Sequence, residues 1–374
     1  MNPPLGSRRI LFLSAAVLIA AAALWGCSKD RVSPMSPNTQ TDAGATLRLD
    51  NPAVQSVMRV QDHNTPSLMR VAGVIGTATG LNDAGQIVIK VYSESKLAPG
   101  RIPASLDGIP VVEEVTGKIH AMKGGGGGVS HTAAQTPPIQ LGTSGSPSLD
   151  IANGFCCGGT LGSLVSKGGQ QYILSNSHVL CGDVANGGNG RVSTIGDDII
   201  QPGLIDVNCS ASGQQVVADL SSLSTLFPPN STPNVDCAIA QVRSGMVRSD
   251  GAILEIGTIS SSTVAAFVGQ GVKKSGRTTG LSRSSVSGLN ATINVGYETE
   301  CAGTSFTKTF TGQIVINNKG SRFLNSGDSG SLMVEDVNTN PRAVGLLYAG
   351  GSSIAIANPI NDVLSHLGAT IVGN

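Results

Sequence analysis

Short apolar runs separated by turn residues dominate the chain from residue 148 onward, and this pattern limits its fold more than any other feature. Each run is only a few residues long, and Gly, Asn and Ser lie between the runs. Such a pattern predicts β-strands joined by tight turns. The 49 glycines and the low aromatic content of 3% agree with an all-β protein. The predicted strands are 159–165, 171–174, 238–242, 271–274, 291–295, 311–316, 331–334 and 343–347, and a helix is predicted at 361–367.

Ser329 lies between two glycines, directly before one of the predicted strands. A nucleophilic serine needs a base to accept its proton and a buried acid to orient that base. His178 follows a predicted strand and Asp236 precedes another, so we interpret His178, Asp236 and Ser329 as the candidate catalytic residues. Asp219 lies in a strand-like run and is the alternative acid.

The glycines around Ser329 allow a sharp backbone turn. Such a turn directs the N–H groups of Gly327 and Ser329 at a developing oxyanion. We therefore predict an oxyanion hole formed by these two backbone amides.

These motifs resemble those of the chymotrypsin/trypsin-like serine peptidases. The run Lys274-Ser-Gly-Arg-Thr-Thr-Gly280, followed by 287–294, is similar to the start of the second barrel in bacterial streptogrisin and alpha-lytic type enzymes. The run 343–351 resembles the strand that walls their primary specificity pocket. The resemblance covers roughly 148–374. It implies a mainly β fold, a trypsin-like double β-barrel, preceded here by a small α/β module, and it implies no metal or organic cofactor.

The resemblance also implies roles for residues around the triad. Asp328 corresponds to a buried carboxylate that pairs with a cation and fixes the oxyanion loop, and Lys274 stands where relatives carry the arginine that pairs with it. The substrate cleft corresponds to Tyr348, Ala349 and Gly350. Two residues depart from the family pattern. Ser331 stands in place of a glycine, and Tyr348 replaces a serine that supports the catalytic aspartate.

Cysteine usage indicates an exported protein. Of the seven cysteines, all but Cys27 lie after residue 150, and an even number in an exported β domain predicts disulfides. Many connectivities are compatible with the sequence, and the resemblance favours a bond from Cys156 or Cys157 to Cys181. A zinc site is the alternative, but no ligand spacing fits it well. The candidates are Cys156, Cys157, Cys181, Cys209, Cys237 and Cys301.

The N-terminal segments predict export. Residues 1–26 have a basic start and an apolar stretch that is typical of a signal peptide. Leu24-Trp-Gly-Cys27 resembles the bacterial lipobox, so Cys27 is a candidate for lipidation, and the polar stretch 27–46 would be a tether. We therefore expect a bacterial cell-envelope protein that is attached to a membrane through lipid, with plain secretion as the alternative.

Two further regions precede the peptidase-like part. Residues 47–122 predict a small α/β module whose role is open among an inhibitory pro-region, a folding aid and a partner-binding module. Residues 123–147, which begin with a run of glycines, predict a flexible linker. The linker contains Gly142-Thr-Ser-Gly145, a sequence similar to a nucleophile turn that we interpret as linker. We expect such a linker to couple the module only loosely to 148–374.

Composition excludes some functions. The net charge is zero and only 13% of residues are charged, which argues against nucleic acid as a partner. The sequence predicts a serine endopeptidase that acts on peptides or proteins. The alternative is a weak or inactive trypsin-like scaffold that binds peptides. An esterase on another fold is less favoured, because the nucleophile lacks a Gly-x-Ser-x-Gly elbow and the acid precedes it.

Overall fold

Strands dominate the computed structural model, which describes residues 47–121 and 129–374. The predicted mainly β class and its double-barrel architecture are confirmed, since most strands fall into two large sheets. In chain order the elements are β1 (Leu47–Arg48), α1 (Pro52–Leu68), β2 (Val74–Leu81), β3 (Ile87–Ser93), β4 (Ser105–Leu106), β5 (Ile109–Val115), β6 (His120–Ala121), α2 (Val129–Thr132), β7 (Thr143–Pro147), β8 (Ile151–Ala152), β9 (Phe155–Cys156), β10 (Gly159–Leu161), β11 (Ser163–Lys167), β12 (Gln170–Ser175), α3 (Ser177–Leu180), β13 (Asp198–Gln201), β14 (Gln215–Leu223), β15 (Ala238–Val242), β16 (Phe267–Val268), β17 (Gly271–Gly276), β18 (Gly280–Glu298), β19 (Ser305–Asn317), β20 (Leu332–Glu335), β21 (Ala343–Gly350), β22 (Ile354–Pro359), α4 (Ile360–Leu367) and β23 (Thr370–Ile371).

The first sheet has eight strands in the order β10-β7-β13-β14-β15-β12-β11-β23. Its strands pair antiparallel, and their apolar side chains form one buried core with α3 and α4. The helix α4 lies where the sequence predicted the C-terminal helix. Because β12 ends just before α3 and β15 begins just after residue 236, this sheet brings the two chain segments that carry His178 and Asp236 to the same end.

The second sheet has eleven strands and is built around the long hairpin β18–β19. Strands β17, β20, β21 and β22 lie on one side of the hairpin. The turn between the end of the hairpin and β20 contains Ser329. This sheet therefore positions both the nucleophile and the cleft strand β21.

The N-terminal module extends the second sheet. Asn51 caps α1 by accepting a hydrogen bond from the Ala53 amide at 2.9 Å, and Pro52 occupies the first helical position, where its missing N–H costs nothing. Strand β2 pairs antiparallel with β18, and β3 and β5 continue the sheet outward. Val54 and Val57 of α1 belong to the same buried core as residues of β18 and β19.

The expectation of loose coupling between this module and the rest of the chain is therefore wrong. All described residues fall within one compact unit. The physical reason is the open edge of β18, whose backbone groups need partners that β2 supplies. The glycine run 124–128 lies outside the described residues.

The linker expectation is also wrong for its C-terminal part. Thr143–Pro147 is the strand β7, fully buried between β10 and β13. Ile139 and Leu141 are buried in the first core. The segment Gly142-Thr-Ser-Gly145 is thus not a linker, and the peptidase-like fold begins before residue 148.

Among the described residues, no helix is both long and apolar enough to cross a membrane. The predicted signal peptide, the tether and Cys27 lie outside the described residues.

Candidate active site

A buried carboxylate and an imidazole form the centre of the site. His178 Nδ1 lies 2.5 Å from Asp236 Oδ2, and the Asp236 side chain is fully buried. The short helix α3 begins at Ser177, so the backbone amides of Ser177 and His178 both donate to Asp236 Oδ1, at 2.8 Å and 3.3 Å. Hydrogen bonds to the ionised form stabilise a buried carboxylate. Asp236 is therefore held in place by the helix that carries its histidine.

The rival acid Asp219 is engaged elsewhere. Arg243 donates three hydrogen bonds to the Asp219 carboxylate, at 2.6, 3.1 and 3.2 Å. Asp219 has a half-exposed side chain on β14. The structure thus brings His178 together with Asp236 and leaves Asp219 apart from it.

Tyr297 is a site residue that the sequence analysis missed. Its hydroxyl donates to Asp236 Oδ2 at 3.0 Å, and its ring lies edge-on to the His178 ring with 5.8 Å between centroids. Burial, and to a lesser degree the charge of Asp236, raises the pKa of the Tyr297 phenol well above its usual value, so the group is a stable donor. Residue 297 lies on β18 in no recognisable motif, and only the fold brings it to the aspartate.

Tyr297 accounts for the departure at Tyr348. The Tyr348 side chain is fully buried against Phe310, with 5.1 Å between ring centroids. Its hydroxyl makes no hydrogen bond to any described residue and so does not support Asp236. The resemblance implied a supporting serine at position 348, and here the hydroxyl that reaches Asp236 belongs to Tyr297 on β18.

Ser329 lies close to the segment that carries His178, but its hydroxyl is hydrogen-bonded to the cleft strand β21. The Thr160 amide donates to the Ser329 carbonyl at 2.9 Å, and Ser175, three residues before His178, donates to the Thr160 carbonyl at 2.7 Å. The Ser329 hydroxyl donates to the Tyr348 carbonyl at 2.9 Å. His178 Nε2 is buried and makes no hydrogen bond to any described residue. The His178–Ser329 hydrogen bond of an engaged triad is thus not formed in this state.

Asp328 and Lys274 form a buried ion pair behind the turn 325–331, the oxyanion turn that the sequence predicts. Lys274 Nζ lies 3.1 Å from Asp328 Oδ1, and both side chains are fully buried. The carboxylate also accepts hydrogen bonds from Asn325, Thr278 and Thr279. Burial lowers the pKa of the Lys274 ammonium, and Asp328 opposes that shift. The pairing matches what the resemblance implied for these two residues.

We expect Lys274→Met to lower the free energy of unfolding by about 3–5 kcal/mol, because it leaves the Asp328 charge buried without its partner. Denaturant unfolding followed by circular dichroism measures the loss. Arg283→Met is the matched control, since it removes an exposed cation from an ion pair with Asp336, a change worth about 0–1 kcal/mol. Equal losses in the two variants would contradict a structural role for Lys274.

The oxyanion turn is fixed from several sides. Gly327 has a φ of 98°, and its carbonyl accepts from the Thr160 hydroxyl at 2.9 Å. Ser331, the second departure from the family pattern, is buried and donates from its hydroxyl to the Asp328 carbonyl at 2.5 Å. The extra hydroxyl is thus satisfied within the turn, and it does not reach the cleft.

The cleft strand β21 is paired with residues of the N-terminal module. Ala121 is paired with Ala349, and His120 with Gly350, in antiparallel register. On its other side, His120 is paired with Gly296 of β18. A Cβ added at Gly296 would lie 2.8 Å from His120 Nδ1, so the two residues are closely packed. An extended segment that adds to a strand edge is a common form of peptide binding. Here the chain itself occupies the edge of β21.

A cavity of about 890 Å³ adjoins this strand. Its wall combines His178, Tyr297 and Ser326 with residues of the N-terminal module, Lys118 to Ala121 among them. The candidate cleft residue Gly350 also lines it, whereas Tyr348 and Ala349 are buried behind it. The candidate site is therefore a cleft that the N-terminal module covers in part.

The disulfides differ from the expectation. Cys156 is bonded to Cys209 and Cys157 to Cys301. The expected bond to Cys181 is wrong, because both candidate partners are bonded elsewhere. Cys181 follows α3 and is buried in the first core, with its sulfur 3.7 Å from the Ser177 hydroxyl. Cys237 is buried too, and burial raises the pKa of its thiol. The bonded cysteines are not available to the alternative zinc site.

Arg277 is a second residue whose role the sequence did not reveal. It lies in the Lys274–Gly280 run, is almost fully buried, and donates to both oxygens of Asp206 at 2.7 Å and 2.5 Å. Asp206 also accepts from Ser144 of β7 at 2.5 Å. Because Ser144 belongs to the first sheet and Arg277 follows β17 of the second, this ion pair ties the two barrels together beside the site.

Comparison with known proteins supports the resemblance. Residues 234–357 match the family model described as the Nal1 C-terminal domain. That match includes Asp236 and Ser329 but covers less than half of the chain. Streptogrisin-A from Streptomyces griseus is 34% identical over 150 residues, which is 38% of this chain and 44% of that protein. The chain thus aligns with less than half the length of this relative. The resemblance to the chymotrypsin-like bacterial serine peptidases is confirmed.

Two solved structures are among those similar to this chain. A glutamic acid specific serine protease is 21% identical, with a TM-score of 0.41, covering 62% of this chain and all of the other. Thermobifida fusca Protease A is 20% identical, with a TM-score of 0.40, covering 63% of this chain and 99% of the other.

Proposed function

We propose that this chain, which resembles the chymotrypsin-like serine peptidases of bacteria, is an exported serine endopeptidase that hydrolyses peptide bonds through His178, Asp236 and Ser329. The observation that carries the proposal is the buried Asp236 carboxylate, 2.5 Å from His178 Nδ1 and held by the Ser177 amide and the Tyr297 hydroxyl. A carboxylate held in this way fixes the imidazole tautomer that leaves Nε2 able to accept a proton.

The chemistry would proceed through an acyl-enzyme. The Ser329 hydroxyl leaves the Tyr348 carbonyl and attacks the substrate carbonyl carbon while His178 Nε2 takes its proton. The oxyanion is stabilised by the amides of Gly327 and Ser329, in the turn that Asp328 holds. His178 then protonates the leaving amine, and a water activated by the same imidazole hydrolyses the ester. No step uses a metal or an organic cofactor.

The substrates would be peptides or proteins bound as an extended strand along β21. The pairing of His120 and Ala121 with Gly350 and Ala349 supports this mode, because an extended segment of the chain already occupies the edge of β21 where a substrate strand would bind. The same pairing implies that the full chain is latent. A substrate strand has to displace residues 120 and 121 before it can reach Ser329.

The second candidate is a peptide-binding scaffold without catalytic activity. Two observations favour it. The Ser329 hydroxyl donates a hydrogen bond to the Tyr348 carbonyl, and the His178 Nε2 atom makes no hydrogen bond to any described residue. Catalytic hydrogen bonds are often absent before substrate binds, so the same geometry also suits a resting peptidase.

A burst assay separates the two candidates. With an activated p-nitrophenyl ester, we expect a rapid release of about one nitrophenolate per active chain, followed by slower turnover, because acylation precedes hydrolysis. A folded protein that binds peptides but gives no burst, even after the N-terminal module has been cut away, would favour the scaffold.

The disulfides Cys156–Cys209 and Cys157–Cys301 are consistent with an oxidising compartment. We propose that residues 1–26 direct export and that Cys27 then carries lipid, so that 27–46 tethers the protein to a membrane. The mass of the mature N-terminal peptide decides this point. An unmodified N-terminus beyond Cys27 would leave plain secretion.

A further inference from the structure

His131 is a buried histidine that the proposed mechanism does not use. It lies on the short helix α2, directly after the glycine run, and is only 2% exposed. Its Nδ1 lies 2.9 Å from the Gly142 carbonyl, and its Nε2 lies 2.6 Å from Glu255 Oε2. Both partners are oxygen acceptors, so the ring makes two hydrogen bonds when it carries a proton on each nitrogen. It then forms an ion pair with Glu255.

Glu255 connects His131 to the second barrel. Its Oε2 atom also accepts a hydrogen bond from the Leu281 amide at 3.0 Å. Gly280, the residue before Leu281, lies beside the ring, and a Cβ added there would lie 3.1 Å from His131 Nε2. His131 and Glu255 therefore hold the end of the segment 277–281 between them.

The segment 277–281 is the one that holds Asp328. The amides of Thr278 and Thr279 donate to Asp328 Oδ1 at 2.9 Å and 3.1 Å. The Gly280 carbonyl accepts from Lys274 Nζ at 3.1 Å. A shift at Gly280 would thus move both the donors and the cation that fix Asp328. Asp328 directly precedes Ser329 in the oxyanion turn.

We propose that His131 is a positioning residue for the oxyanion turn, acting through Glu255 and the segment 277–281 on Asp328. The inference rests on the proposed peptidase function. It assigns a role to the stretch that follows the glycine run, which would remain with the peptidase part if the chain were cut between 122 and 128. The His131 ring makes its hydrogen bonds to Gly142 and Glu255, so its role is indirect.

The test compares His131→Ala and His131→Gln in the full-length protein by steady-state peptide hydrolysis. His131→Ala should lower kcat about tenfold, a fraction of the 10²- to 10³-fold that loss of one oxyanion donor costs. KM should change less than about twofold, because β21 is untouched. His131→Gln keeps one amide donor and should recover part of kcat. The control is His366→Gln, on the exposed side of α4. An unchanged kcat in His131→Ala, or equal losses in His366→Gln, would overturn the proposal.

A second measurement does not depend on activity. In a Ser329→Ala background, amide hydrogen exchange should become faster at Thr279 and Leu281 when His131 is replaced by Ala, while β15 in the first sheet stays protected. If exchange becomes faster but the wild-type protein hydrolyses no peptide, the contact between His131 and the segment 277–281 is supported and the peptidase function is rejected. Unchanged exchange at these amides would reject the positioning role itself.

Discussion

Ser329→Ala is expected to lower kcat/KM for peptide hydrolysis by on the order of 10⁴-fold or more, because it removes the nucleophile while leaving the oxyanion donors in place. His178→Ala should cause a loss of similar size, because the Ser329 proton then has no acceptor. The double variant should be no worse than either single variant, since residues that act as one unit give non-additive losses. Initial rates on a fluorogenic peptide library, with the N-terminal module cut away, measure these effects.

Matched controls isolate the chemistry from folding. Ser261→Ala removes an exposed serine hydroxyl that donates to the Asn374 carbonyl, and His366→Ala removes an exposed histidine on α4. Both should retain full activity. Robust hydrolysis by Ser329→Ala would contradict the triad, and losses in the controls equal to those in the site variants would indicate damage to the fold.

The second large effect concerns the N-terminal module. A recognition site for a sequence-specific protease, placed in the glycine run 124–128, allows the folded chain to be cut and the module to be separated. We expect peptide hydrolysis to rise at least about tenfold, because a tethered strand competes with substrate at an effective concentration of about 1 mM. The melting temperature should fall, since α1 and β2 bury apolar surface of β18 and β19.

The uncut protein that carries the same recognition site is the control, and its activity should equal that of the wild type. Unchanged activity after cutting and separation would show that residues 120 and 121 do not limit access to the cleft. If the separated part loses its circular dichroism signal, the module serves folding or stability instead of latency.

The local parts of the site could be predicted from sequence because short motifs carry them. The turn around Ser329 and the position of His178 after a strand follow from residue type and spacing. The choice of Asp236 over Asp219 relied on its position just before a predicted strand, and the structure adds a physical reason, because Asp219 is held by Arg243. Tyr297 could not be predicted, since it lies in no recognisable motif and only the fold brings its hydroxyl to Asp236.

The errors have a common origin in non-local pairing. Thr143–Pro147 contains no apolar side chain that would mark a buried strand, yet β10 and β13 enclose it. The partners of Cys156 and Cys157 lie 53 and 144 residues away, a choice that depends on the packing of whole loops. The glycine run predicted a flexible connection, whereas the edge of β18 binds β2 directly.

The most direct test of the central claim is covalent labelling by a fluorophosphonate probe, followed by peptide mapping, on the protein cut at the glycine run. We predict one label per chain, on the Ser329 hydroxyl, with labelling lost in Ser329→Ala and strongly slowed in His178→Ala, because the probe reacts only with a serine that a base activates. Labelling of the uncut chain should be slower. A folded, cut protein in which Ser329 stays unlabelled would contradict the peptidase assignment.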